Sequence, residues 1–186
     1  QLGMQPNAND VPMLPHGKEW LEAAKAGDTA AMEQLLAQHP EVMGYRGKGC
    51  SLGFIGHTAL HWAASKGNVK ALRWLAEQGA DLSLGNNANS TALHTASQNG
   101  QQAAIEVLLD AGADATLKDA EGHLARDVAV ERGYAQIARL LDASAGKACL
   151  RAALLSLGVD EGAWKVSAMK DALRRGAVSC EAVTEK

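Results

Sequence analysis

The stretch Gly56-His57-Thr58-Ala59-Leu60-His61-Trp62-Ala63-Ala64-Ser65-Lys66-Gly67 is followed by a second version of itself, Asn89-Ser90-Thr91-Ala92-Leu93-His94-Thr95-Ala96-Ser97-Gln98-Asn99-Gly100. The offset is 33 residues at each landmark: Thr58 to Thr91, His61 to His94, Gly67 to Gly100. The register persists beyond the copies, since Leu75 answers Leu108 and Gly79-Ala80-Asp81 answers Gly112-Ala113-Asp114. A fixed period of this size marks a stack of like supersecondary units.

Each copy reads as a pair of short helices. Thr58 is placed to cap the first, its hydroxyl accepting from an early helical amide. Leu60, Ala63 and Ala64 give that helix one apolar stripe, and Gly67 ends it. Asn68 is placed to cap the second helix, whose Val69, Leu72, Leu75 and Ala76 share a face before Gly79 stops it. Asp81 to Gly85 reads as the turn into the next copy. One such pair cannot bury its apolar faces alone, whereas stacked copies bury a continuous core.

Thr-x-Leu-His followed by Gly-Ala-Asp, at this period, resembles the ankyrin repeat family. The likeness runs from Lys18 to Asp142. Upstream, Trp20 to Gly27 matches a first helix, with Met32, Leu35 and Leu36 on the second. Gly27 lies 40 residues before Gly67, so an insertion of about 7 separates that unit from the next. Downstream, Ala125, Val128 and Ala129 lead to Gly133, then Ile137, Leu140 and Leu141. There Leu124 stands for Thr, Arg126 for Leu and Asp127 for His, the departures expected of a terminal unit.

The resemblance implies an all-α solenoid of stacked helix pairs with a C-terminal helical extension. We place an extended arm at 1–17 and repeats at 18–145, in units 18–43, 54–85, 87–118 and 120–145. A loop insertion takes 44–53, and the extension takes 146–186.

Composition narrows the function classes. A net charge of -3 and an isoelectric point near 6.1 give no global basic field for nucleic acid or acidic membranes. No apolar run reaches the roughly 20 residues that span a bilayer, and the N-terminus lacks the basic-then-apolar pattern of a secretory leader. Cys50, Cys149 and Cys180 are odd in number and irregularly spaced, which favours a reducing, cytoplasmic or nuclear compartment over a disulfide framework.

Two constellations invite a chemical reading. His61 and His94 stand in register, but helices stacked about 10 Å apart hold them beyond the reach of one metal. In chains of the resembled family this His instead holds the loop by hydrogen bonds to backbone. Cys50 with His57 and His61 could form a thiol–imidazole pair, yet Gly47-Lys48-Gly49-Cys50-Ser51 supplies no orienting third group. The same stretch fails as a phosphate loop, because Gly49 follows the Gly-Lys where Ser or Thr is required. We therefore expect no catalytic, metal or cofactor site. Trp62 is expected in the core, and Trp74 partly buried against a neighbouring unit.

What remains is surface. The resemblance implies partner contacts at loop tips and at the exposed ends of first helices. These positions are Phe54, Ile55, His57, Ser65 and Lys66, then Asn87, Ala88, Ser90, Gln98 and Asn99, then Glu121, His123, Glu131 and Arg132. Phe54, the only Phe, and Ile55 either face solvent there or pack under the insertion. The expected function is a non-catalytic, monomeric protein-binding module. The alternative is an adaptor region of a larger protein with its enzyme or nucleic-acid domain elsewhere.

After Asp142 the period fails. Ala148, Leu150, Ala153, Leu154 and Leu157 form one helical stripe ended by Gly158, and Met169, Ala172 and Leu173 a second. Such helices would cover the open end of the array. Val166 to Val178 also resembles the opening of a SAP-like module, a resemblance that implies either DNA or protein contacts by its first helix, with Lys170, Arg174 and Arg175 as the basic cluster.

Overall fold

The computed structural model describes residue 14, residues 16–47 and residues 56–156, with side chains as far as residue 146. Cys50, Phe54, Ile55, Cys180 and the SAP-like segment lie outside the described residues. The chain divides into two units, Gln1–Arg139 and Leu140–Lys186.

The described residues are helical, without a strand. The helices are α1 (Gly17–Ala26), α2 (Thr29–Gln38), α3 (Ala59–Lys66), α4 (Val69–Glu77), α5 (Ala92–Gln98), α6 (Gln102–Asp110), α7 (Ala125–Glu131) and α8 (Ala135–Ser156), with a 3-10 turn at Pro40–Gly44. The period seen in the sequence is kept in space: α3, α5 and α7 open at Ala59, Ala92 and Ala125, and α4, α6 and α8 open at Val69, Gln102 and Ala135. In the unit ending at Arg139, α1, α3, α5 and α7 pack in a row, each on the next. A second row places α2 against α4 and α4 against α6, and each of the first three pairs packs on itself.

The cores differ between rows. Ala24, Ala63, Ala64, Ala96 and Ala129 are fully buried in the first row, where small side chains let helices approach closely. Leu72, Leu75, Ile105 and Leu108 fill the space between rows, each side chain worth roughly 1.5–3 kcal/mol when removed from water. Trp20 is fully buried, and its ring lies 6.2 Å from that of the half-buried Trp74. Trp62 departs from expectation. It is half-exposed on α3, with the Lys25 ammonium 5.2 Å from its ring centroid and the His57 ring edge-on at 5.5 Å.

The glycines that end the first helices serve two purposes. Gly67 and Gly100 both have φ of 68°, a left-handed conformation that side chains resist. They are also covered by the next unit: a Cβ on Gly67 would overlap the Gln101 amide, and one on Gly100 would meet the Tyr134 ring at 2.6 Å. Asn68 is the earlier counterpart of Gln101 and Tyr134. It stands at the N-cap position of α4 without capping it. Its amide instead donates to Ala24 O (3.2 Å) and Lys25 O (2.7 Å) at the end of α1. The position thus joins units, where the sequence alone suggested a cap.

Helix α8 continues past residue 145, where the sequence reading placed the end of the last unit. It runs unbroken through Ser144, Ala145 and Gly146 to Ser156. An internal glycine costs a helix about 1 kcal/mol relative to alanine, too little to stop one flanked by good helix formers.

One buried polar atom lacks a partner in α5. Ser97 is fully buried and its hydroxyl makes no hydrogen bond. One period earlier the position is Ala64, also fully buried. Ser97→Ala is therefore expected to stabilise the protein by about 1 kcal/mol, read as a higher urea midpoint at unchanged slope.

Candidate partner-binding surface

Between successive helix pairs the chain turns through a tip built the same way twice. Asn86 Oδ1 accepts from Ala88 N (2.9 Å) and Ser90 N (3.1 Å), and Asn86 N donates to Ser90 O (2.9 Å). One period later Asp119 Oδ1 accepts from Glu121 N (3.0 Å) and His123 N (2.9 Å), and Asp119 N donates to His123 O (3.0 Å). Short Asn and Asp side chains do this well, because they reach backbone amides two residues on. The tips are joined to each other through Ala120 N and Ala88 O at 2.9 Å.

A histidine ties each tip to the helix before it. His61 Nδ1 accepts from Thr58 N (3.2 Å), and lies 2.8 Å from the Thr58 hydroxyl. An amide can only donate, so Nδ1 carries the lone pair and Nε2 the proton. That Nε2–H donates to Ser90 O at 2.7 Å, in the next unit. His94 repeats the arrangement, with Thr91 N at 3.2 Å and His123 O at 3.1 Å. In α7 Asp127 Oδ2 takes the Nδ1 role, accepting from Leu124 N at 3.1 Å. A carboxylate has no proton to pass forward, so the relay ends there.

The base of the insertion is held as well. Gly47 N donates to His57 O and Gly56 N to Gly47 O, both at 2.9 Å. Gly47 and Gly56, the described residues on either side of 48–55, are thereby held together. Arg46 Nη2 ties this junction to Gly85 O at 2.8 Å.

The predicted contact residues fall into three groups. Asn87, Ala88 and Glu121 are exposed at tips, and Lys66, Gln98, Asn99, Glu131 and Arg132 are exposed where first helices end. Ser65, Ser90 and His123 are half-exposed; His123 Nδ1 stands 3.6 Å from the Glu121 carboxylate. His57 is a correction. It is only 3% exposed, stacked on His61 at 4.9 Å, and so is packing rather than surface. The sequence reading missed Asn86 and Asp119, the residues that shape the tips; their 33-residue spacing was the available signal. It also missed the Lys25–Trp62 pair, which joins α1 to α3.

The family model for ankyrin repeats in three copies matches residues 20–119. The chain belongs to the ankyrin repeat family. None of the curated proteins compared with the chain matches it. Ankyrin repeats are in general protein–protein interaction modules, and the matched stretch holds the first tip and both relay histidines. No helix among the described residues is long and apolar enough to cross a membrane.

Burial gives the ankyrin relay a pH dependence. Desolvation is the main influence on His61, lowering its pKa from 6.5 to about 3 against the opposing bond to Ser90. His94 is lowered from 6.5 for the same reason. A depressed histidine is neutral when folded and takes up a proton when unfolded. Its contribution is therefore complete above pH 6.5 and is lost as pH falls. His61 alone should remove roughly 2–3 kcal/mol between pH 6.5 and 4.5, at about 1.4 kcal/mol per pH unit. Asp81 is lowered from 3.8 by its bonds to Ser83, so its loss comes below that window. Urea midpoints at pH 7.5, 5.5 and 4.5 should fall in that order, and a flat profile would contradict the neutral relay.

Proposed function

We propose that this chain is a non-catalytic protein-binding module, an adaptor or scaffold component. It meets its partner with the tips at Asn87, Ala88 and Glu121 and with the first-helix ends at Lys66, Gln98, Asn99, Glu131 and Arg132. We count four units over 18–145, the last carried by α7 and the opening of α8.

The observation that supports this reading is the construction of the tips. Their backbone amides and carbonyls are engaged by Asn86, Asp119, His61 and His94, while the side chains of Asn87, Ala88 and Glu121 at their ends are exposed to a partner. A surface already fixed in shape loses little conformational entropy on binding. The exposed set runs from basic Lys66 through neutral Asn87, Gln98 and Asn99 to charged Glu121, Glu131 and Arg132. That pattern favours scattered polar contacts over a single apolar anchor. The odd cysteine count fits a cytoplasmic or nuclear setting. Affinity capture from native lysate tests the proposal, with a tip variant that should lose the partner held by wild type.

A further inference from the structure

The ends of the first helices carry their charge unevenly. The two residues before the terminal glycine are Lys25-Ala26 in α1, Ser65-Lys66 in α3, Gln98-Asn99 in α5 and Glu131-Arg132 in α7. So α1 and α3 each supply one cation, α5 is neutral, and the charges of α7 cancel. Lys25 and Lys66 are exposed, and neither forms an ion pair among the described residues. Glu22, one turn before Lys25, is not bonded to it. Lys25 is also held in place from the next unit. Its ammonium stands 5.2 Å from the centroid of the Trp62 ring, inside the roughly 6 Å over which an indole attracts a cation. The His57 ring in turn meets Trp62 edge-on at 5.5 Å.

We propose that Lys25 and Lys66 receive an acidic segment of the partner protein, with Trp62 as the residue that positions Lys25. The inference rests on the protein-binding reading above and names the chemistry that the partner brings to this face. A lysine loses rotamer freedom when a carboxylate fixes it. One already resting on a ring has less to lose, so its ion pair gains more. Trp62 is half-exposed, which leaves the ammonium open to solvent and to an incoming anion.

The spacing suits a peptide. Neighbouring helices lie about 10 Å apart. Carboxylates at i and i+2, or i and i+4, of an extended segment lie about 7 or 14 Å apart. Two flexible lysine stems span that range. A nucleic acid or an anionic membrane presents phosphates over a longer stretch. The chain's net charge of -3 and the neutral and mixed ends of α5 and α7 give those ligands no continuous basic stripe.

The test is selection of a displayed library of random twelve-residue peptides on the full chain, followed by titration of the best synthetic peptide. Selected peptides should be enriched in Asp and Glu, and their affinity should fall as salt is raised. Lys25→Glu/Lys66→Glu should weaken binding at least tenfold. Lys70→Glu/Arg73→Glu, the same charge change on α4, should leave it unchanged. Trp62→Ala should weaken binding several-fold, and Trp62→Tyr, which keeps a ring under the ammonium, should restore most of it. Selection of no peptide, no acidic enrichment, or wild-type affinity in the Lys25/Lys66 variant would overturn the proposal. So would equal losses in the two charge-reversal variants, or equally tight binding of an oligothymidylate. Asn87→Arg/Glu121→Arg separates this proposal from the tip reading. A peptide lost by that variant and kept by the Lys25/Lys66 variant would overturn the proposal and leave the tips standing, whereas loss in both supports one interface containing both. Melting curves of each variant guard against misfolding, and the exposed lysine pair should melt as wild type does.

Discussion

His61→Ala should destabilise the protein by about 4 kcal/mol and lower its melting temperature by about 10 °C or more. Three losses combine. The buried Thr58 amide loses its acceptor, at a cost of roughly 1–3 kcal/mol for an unsatisfied buried donor. The bond from Nε2 to Ser90 O disappears, and with it a tie between adjacent units. A cavity also opens where a fully buried ring had stacked on His57. His94→Ala should cost somewhat less, because its forward bond is longer, 3.1 Å against 2.7 Å. Asp127→Ala should cost only about 1 kcal/mol, since that half-buried residue caps its helix and reaches no further unit. Chemical denaturation of the three variants checks the order His61, His94, Asp127. Equal costs at all three would show that the forward bond carries nothing.

The fold was legible because its period is printed in the sequence. Thr58 stands at an N-cap as read, Gly67 follows the end of α3, and Leu72, Leu75 and Leu108 are buried as their spacing required, with Val69 and Ala76 half-buried on the same face. What could not be read lies between units. Asn68 was taken as a local cap because Asn commonly caps, yet its partners are 43 and 44 residues away. His57 sits beside the helix start, where a tip residue would be exposed, but the neighbouring rings of His61 and Trp62 enclose it. Trp62 looked like core because it is large and apolar. The row of α1 and α3 leaves it half-open beneath Lys25. Helical periodicity says which face of an element is apolar and nothing about which neighbour a side chain reaches. The same limit hid the stacking of His16 on His39, two residues that no local pattern connects.

The tip variant should have the largest effect on function. Asn87→Arg and Glu121→Arg place cations on exposed tip side chains and leave Asn86 and Asp119, which hold the tip backbone, in place. Folding should therefore be unchanged, while a partner that fits those tips meets bulk and charge it did not select. Loss of a central contact in such an interface weakens binding by about 2 kcal/mol or more, roughly 30-fold. Lys70→Glu/Arg73→Glu is the matched control, because it reverses two exposed charges on α4, in the second row. That variant should bind as wild type does. The comparison separates a specific face from a general response to surface charge, which screening by salt would otherwise confuse.

The measurement that bears most directly on the account is a binding titration of the captured partner against wild type, the tip variant and the α4 variant, at one fixed salt concentration. The account predicts wild-type affinity for the α4 variant and at least a tenfold loss for the tip variant, with all three proteins melting at the same temperature. Equal binding by the tip variant and wild type would contradict it, and would move the interface away from the tips.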